Sequence, residues 1–237
     1  MPKYSEFKRK PEIIAGIFLL LSGLSVVVTL LTDVRFMSSF YSVSEDIAYL
    51  SDNIYVLYLN SVLWMITALF MTICAAGLIS AVVPHHSFLG YLQGFLFILA
   101  SAMFYVAAIK GFSLRDLMLN YSELELANPD SLKINVLILL KEKNLYLTAA
   151  YVIIGLSFIV VGLFAFLTMK IRVVSGILSL ITGFLIIVFT LFIPDSLLVQ
   201  IGLIMACLMF FILTVQFLFK GLEKKQKRIK EGREIHE

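Results

Sequence analysis

Six stretches of this chain are long and almost wholly apolar, near residues 11–32, 55–83, 88–112, 145–169, 172–193 and 196–219. No other feature narrows the fold so far. A helix rises about 1.5 Å per residue, so about 20 apolar residues cross a hydrocarbon core of roughly 30 Å. Helix is the forced choice. The runs lack strand-like alternation, and an open strand in lipid leaves its backbone groups unpaired. The expected fold is all-α: one polytopic transmembrane bundle of six helices over residues 1–219, followed by a basic tail over 220–237. Composition agrees, with 60% of residues hydrophobic and 15% charged. A soluble domain carries about a quarter charged residues.

The first run follows the basic start MPKYSEFKRK, as the core of a secretory signal would. It is longer than the 7–15 or so residues usual for a signal, and no small-x-small cleavage site follows. It is expected to stay as the first helix.

Basic residues set the orientation. Lys3, Lys8, Arg9 and Lys10 precede the first run, Lys170 and Arg172 lie between the fourth and fifth, and Lys220, Lys224, Lys225, Lys227, Arg228, Lys230 and Arg233 fill the tail. With six spans these all fall on one side, together with both termini, and that side is expected to be cytoplasmic. Most acidic residues fall on the other side. The net charge of +3 hides this polarity. The basic residues flank the membrane rather than clustering on a folded domain, so nucleic acid is not an expected partner.

Two longer connections interrupt the apolar runs. The first, from Asp33 to Asn53, has Ser44, Glu45 and Asp46 as a helix start, a hydroxyl cap with acids at the positive end. The second spans 113–144. Leu114, Leu117, Met118, Tyr121, Leu124 and Leu126 recur at helical spacing between acidic residues, which predicts an amphipathic piece lying on the outer surface. Asn128-Pro129-Asp130 ends it, and Ser131 can cap a segment that runs on into the fourth helix. Short turns, MKIRV and IPDS, make the last three helices antiparallel neighbours.

Three runs contain glycines seven residues apart: AGIFLLLSG at 15–23, IGLSFIVVG at 154–162 and SGILSLITG at 175–183. Seven residues is two helical turns, so each pair lies on one helix face. Small residues let helix backbones approach in lipid, where packing replaces the hydrophobic drive. The pairs are expected to mark packing seams. The sharper alternative is an internal duplication, with helices 1–3 and 4–6 as inverted halves, as in some transporters.

Chemistry is sparse. No ionisable residue sits centrally in any run, which disfavours proton-driven transport. Lys110 is read as an interface anchor, and His85 and His86 as a polar turn. Cys74 and Cys207 stand alone in apolar runs and read as small packing residues. There is no metal-ligand spacing, no HExxH, no GxSG and no pair of membrane aspartates. No enzyme, metal or cofactor is expected.

The candidate ligand-binding group is polar and aromatic and lies in the outer half. It comprises Tyr58, Asn60, Ser61 and Trp64 on the second helix, Tyr105 on the third, and Thr148 and Tyr151 on the fourth. Read plainly, these residues form an aromatic belt at the headgroup level. Read functionally, they line a pocket for a lipid or lipophilic ligand.

The stretches IIAGIFLLLSGL, YLNSVLWMITALFMTICAAGL, AAYVIIGLSFIVVGLFAF and VVSGILSLITGFLIIV together resemble a six-helix prokaryotic membrane-protein family of unknown function. The resemblance implies termini on the inside and a long outer loop before the fourth helix, and it carries no activity and no site.

The expected protein is therefore a non-enzymatic, multi-pass protein of the cell membrane. Its partners are the bilayer, a bound lipid or lipophilic molecule, and a membrane protein or second copy of the chain. The alternative is a small permease for an uncharged substrate, with a central cavity lined by Asn60 and Gln93 together with Gln200 or Gln216.

Overall fold

The computed structural model describes residues 10–33, 50, 52–120, 129–168, 173–192 and 201–216. Its helices are α1 Lys10–Asp33, α2 Ile54–Val82, α3 Ser87–Leu119, α4 Pro129–Thr168, α5 Val173–Phe192 and α6 Ile201–Gln216. The chain is all-α over these residues. α2, α3, α5 and the Ser131–Thr168 part of α4 are long and apolar enough to cross a membrane. The described apolar lengths of α1 and α6, Ile13–Thr29 and Ile201–Gln216, are shorter. By length and composition, four of the six expected spans are present among the described residues.

The outside of the bundle is as apolar as its core. Large apolar side chains stand on its outside: Leu69, Phe95, Val174 and Phe184 are each more than half exposed. Small hydroxyl residues are inside, among them Ser22, Ser25, Ser101, Ser157 and Ser179. The pattern is compatible with a lipid surrounding, where an exposed Phe costs nothing and an unpaired hydroxyl does.

Successive helices run antiparallel. The end of the bundle where α1 finishes and α2 begins is its upper end. Each neighbouring pair carries a side-chain hydrogen bond. Thr67 Oγ1 lies 3.0 Å from Ser25 Oγ (α1–α2), and Thr72 Oγ1 lies 2.7 Å from Ser101 Oγ (α2–α3). Gln93 Nε2 donates to Ser157 Oγ at 2.6 Å (α3–α4). Ser179 Oγ donates to the Phe158 carbonyl at 2.9 Å (α4–α5), and Gln216 Nε2 donates to Ser175 Oγ (α5–α6). The sixth helix returns to the first, where Phe210 fills the space a side chain on Gly23 would need. Bonds of this kind inside membrane bundles contribute about 0.6 kcal/mol each. They set register more than they set stability.

Gly23 and the glycine pairs of α4 and α5 lie on helix–helix seams. The pairs face one another, Gly155 against Gly183 and Gly162 against Gly176, backbone to backbone. Gly77 on α2 receives Ala15 of α1 in the same way.

α3 is longer than expected, and α4 takes in the segment expected to lead into it. α3 runs on to Leu119 in one piece, so the segment from Ser113 is not a separate surface helix up to that point. α4 starts at Pro129, a position suited to proline because the first helical N–H has no partner inside the helix. It continues unbroken for 40 residues. At about 1.5 Å per residue these helices are roughly 50 and 60 Å long, well beyond a hydrocarbon core of roughly 30 Å. The upper overhang has its own small core, in which Leu50, Leu57, Leu114, Met118 and Val136 pack together.

The lower turn between α2 and α3 is tight. The His86 ring accepts the Leu89 backbone N–H through Nδ1 at 3.3 Å and so caps α3. The expected start at Ser44, the turns at 169–172 and 193–196, the amphipathic residues 121–126, Gln200 and the tail from 220 lie outside the described residues.

Candidate functional site

A lysine buried near the upper end of the bundle organises the site. The Lys143 side chain has no solvent exposure. Its Nζ donates to Asn60 Oδ1 at 3.0 Å. The Asn60 amide in turn donates, over 3.4 Å, to the Thr29 carbonyl. Cation, amide and carbonyl thus tie α4, α2 and α1 together at one level. Ser61, next to Asn60, packs against Gly111 of α3, leaving no room there for a larger residue.

Below this polar level lies an aromatic floor. Trp64, one turn below Asn60, stacks on Phe104 with ring centres 4.6 Å apart and planes inclined by 12°. Tyr151, two turns below Lys143, meets both rings at 6.2 and 6.0 Å. All three are wholly or almost wholly buried. Such ring pairs add about 0.5–1.5 kcal/mol beyond their burial.

The rim is charged and exposed. Lys110 pairs with Glu142 across α3 and α4 at 2.6 Å, so its role goes beyond the expected interface anchor. Tyr58 tilts against Phe112, with ring centres 5.8 Å apart. The Arg115 guanidinium sits 4.9 Å from the Tyr58 ring centre.

The seven candidate residues therefore divide. Asn60, Ser61, Trp64 and Tyr151 are buried around the lysine and the aromatic floor. Thr148 is partly buried. Tyr58 and Tyr105 are each close to half exposed and lie outside the buried group.

Lys143 and Phe104 belong with the group, although neither is among the seven. The sequence does carry a signal for the lysine. Leu132, Val136, Lys143, Leu147, Ala150, Tyr151, Ile154 and Phe158 form the buried stripe of α4, at spacings of three, four and seven that mark one helix face. Lys141, two positions earlier, is exposed.

A second feature lies in the lower half. A small cavity opens beside Gln93 and Ser157 and is walled by residues of α1, α2, α3, α4 and α6. Among the described residues of the expected cavity-lining set, Gln93 alone is found there. Asn60 is at the upper site and Gln216 is bonded to Ser175. Among the described residues, no three His, Cys, Asp or Glu side chains gather as metal ligands. No protein-family model matches the chain, and no curated protein or solved structure is significantly similar to it.

Proposed function

We propose that this chain is a multi-pass protein of the cell membrane, with both termini cytoplasmic, that binds a lipid or lipophilic molecule carrying an anionic group at its upper, outer end. One observation carries the reading: Lys143 is fully buried beside Asn60, directly above the Trp64–Phe104–Tyr151 floor. An ammonium buried in a helix bundle costs several kcal/mol in lost hydration. A hydrophobic residue of similar size would fill the space at less cost, so the charge has a use. A carboxylate or phosphate oxygen would replace the Asn60 carbonyl at Nζ, and the apolar body would lie along the helices. An ammonium, an amide and three rings supply binding rather than bond chemistry, so no catalysis is proposed. The outward orientation rests on the basic residues that flank the opposite side.

The test is native mass spectrometry of the gently solubilised full chain. A recurrent anionic molecule retained by the wild type and by Lys143→Arg, and lost at least about tenfold in Lys143→Gln, is the expected result. A mixture of bulk lipids indifferent to the lysine would end the reading.

A small permease for an uncharged substrate is the second reading. The lower cavity favours it, because α1–α3 and α4 with α6 all contribute walls. Its test is solute-driven swelling of reconstituted vesicles, with no selective flux as the excluding result.

A further inference from the structure

The Gln93–Ser157 pair plays no part in the upper site, yet it is as deeply enclosed. Gln93 is only 3% exposed, and so is Ser157. The Gln93 amide uses its nitrogen on Ser157 Oγ. Its other end, Oε1, is buried and has no hydrogen-bond partner among the described residues. An amide end left unpaired in such surroundings is costly, and buried amides generally find a partner. The partner has somewhere to sit. The adjoining cavity has a volume of about 20 Å³ and is walled by Leu19, Leu78, Phe97, Val161, Phe210 and Leu213. One water molecule needs about 10–15 Å³ in this measure. The walls are apolar apart from Gln93 and Ser157, and no lining residue is charged.

We infer that this cavity is a binding site for a single hydroxyl group, held between Gln93 and Ser157. Size admits one such group with the side chains as they stand. Charge excludes ions, since nothing in the wall would balance one. Polarity excludes a pure hydrocarbon, which would leave the amide end bare. A hydroxyl also satisfies either end of the amide, because it donates and accepts, so it fits whichever way the Gln93 side chain is turned. Two sources supply the chemistry: water itself, or the head of a small alcohol. Water fits without movement of the walls, and a short alcohol would have to part Leu19, Leu78 and Leu213. The site is independent of the ligand proposed for Lys143, which lies near the other end of the bundle.

The test uses the full chain in lipid nanodiscs, labelled with ¹⁵N-glutamine. The Gln93 side-chain amide is identified by its loss in Gln93→Met. The expected result is a cross-peak from the Gln93 amide protons to water, with the sign of a long-lived contact, and its disappearance in Val161→Phe, which fills the cavity. Leu213→Phe fills the same space from α6 and serves if the first variant does not fold. Ethanol separates the two sources. A new cross-peak to its methylene protons, rising as the water peak falls, assigns the site to alcohols as well, and an unchanged spectrum assigns it to water alone. A well-resolved Gln93 amide without any contact to water or alcohol overturns the inference. So does a water cross-peak that survives both filling variants, since that water would lie elsewhere.

Discussion

Gly155 on α4 and Gly183 on α5 meet backbone to backbone: a methyl group on Gly155 would stand 2.8 Å from the Gly183 carbonyl oxygen. Two turns along, a methyl on Gly162 would stand 2.9 Å from the Gly176 carbonyl. Both helices repeat glycine every seven residues and run in opposite directions, so a single register brings both pairs together. The backbones cannot yield as a side-chain tip could. Gly183→Ala should therefore destabilise the bundle by roughly 1–3 kcal/mol, the usual cost of overpacking. Gly202→Ala is the control, because its nearest neighbour would be the Phe189 ring at 3.4 Å, an ordinary contact. Thermal unfolding in detergent compares the two, and equal midpoints would contradict the seam.

Asn60 and Lys143 should respond unequally to substitution. Lys143→Met relieves the desolvation cost of a buried charge but leaves the Asn60 carbonyl oxygen without that donor, two effects of opposite sign, so the net loss should stay below about 1.5 kcal/mol. Asn60→Leu keeps the ammonium buried and takes away a hydrogen bond to it, which costs about 1.5–3 kcal/mol. Unfolding by a denaturing detergent should rank Asn60→Leu as clearly the less stable. The reverse order would mean that the lysine holds the fold together instead of being held by it.

Trp64 is the only tryptophan in the chain, and it is fully buried against Phe104. Its fluorescence reports on the aromatic floor alone. Emission should be blue-shifted and resist quenching by acrylamide. Trp64→Ala should cost roughly 3–5 kcal/mol, as for other large buried aromatics. Tyr58→Phe, at a half-exposed position, should fall within about 0.5 kcal/mol of wild type. Red-shifted, readily quenched emission would place the ring in water and dissolve the floor.

His86 supplies the cap of α3 through its ring nitrogen. His86→Ala should lower stability by about 1 kcal/mol, and His86→Asn should restore most of it, since asparagine is a good cap. The measurement is the unfolding midpoint of both variants in one buffer. No difference between Ala and Asn would remove the capping role.

Orientation has its own check. A reporter fused after Glu237 should score cytoplasmic, as should one fused before the first helix. An extracellular score at the C-terminus would move Lys143 and its neighbours to the inner half and transfer the proposed ligand to the inner leaflet.

Much of this architecture was legible in the residues. The apolar runs predicted helices, Pro84 marked where the second one stops, and the seven-residue glycine spacing indicated which faces would pack, while α4 starts at Pro129, two residues before the expected cap Ser131. These are local properties, since helix period and proline chemistry act within a few residues. The burial of Asn60, Ser61, Trp64 and Tyr151, against the plain reading of a headgroup belt, was decided by the neighbouring helices.

What the sequence left open depended on neighbours. A glycine stripe says that a backbone will come close, but not whose. Only the antiparallel register of α4 and α5 pairs Gly155 with Gly183 and Gly162 with Gly176. The segment from Ser113 is amphipathic, which suits a surface helix, yet α3 carries it straight on to Leu119. The long α4 beside it offers Val136 to bury Leu114 and Met118, together with Leu50 and Leu57. Lys143 lies just outside the apolar runs, in the segment expected to lead into the fourth helix. Its burial was decided by the unbroken α4, which turns that position inward onto Asn60. Periodicity determines the face a residue occupies, and the packing of a second helix determines whether that face meets water, lipid or protein.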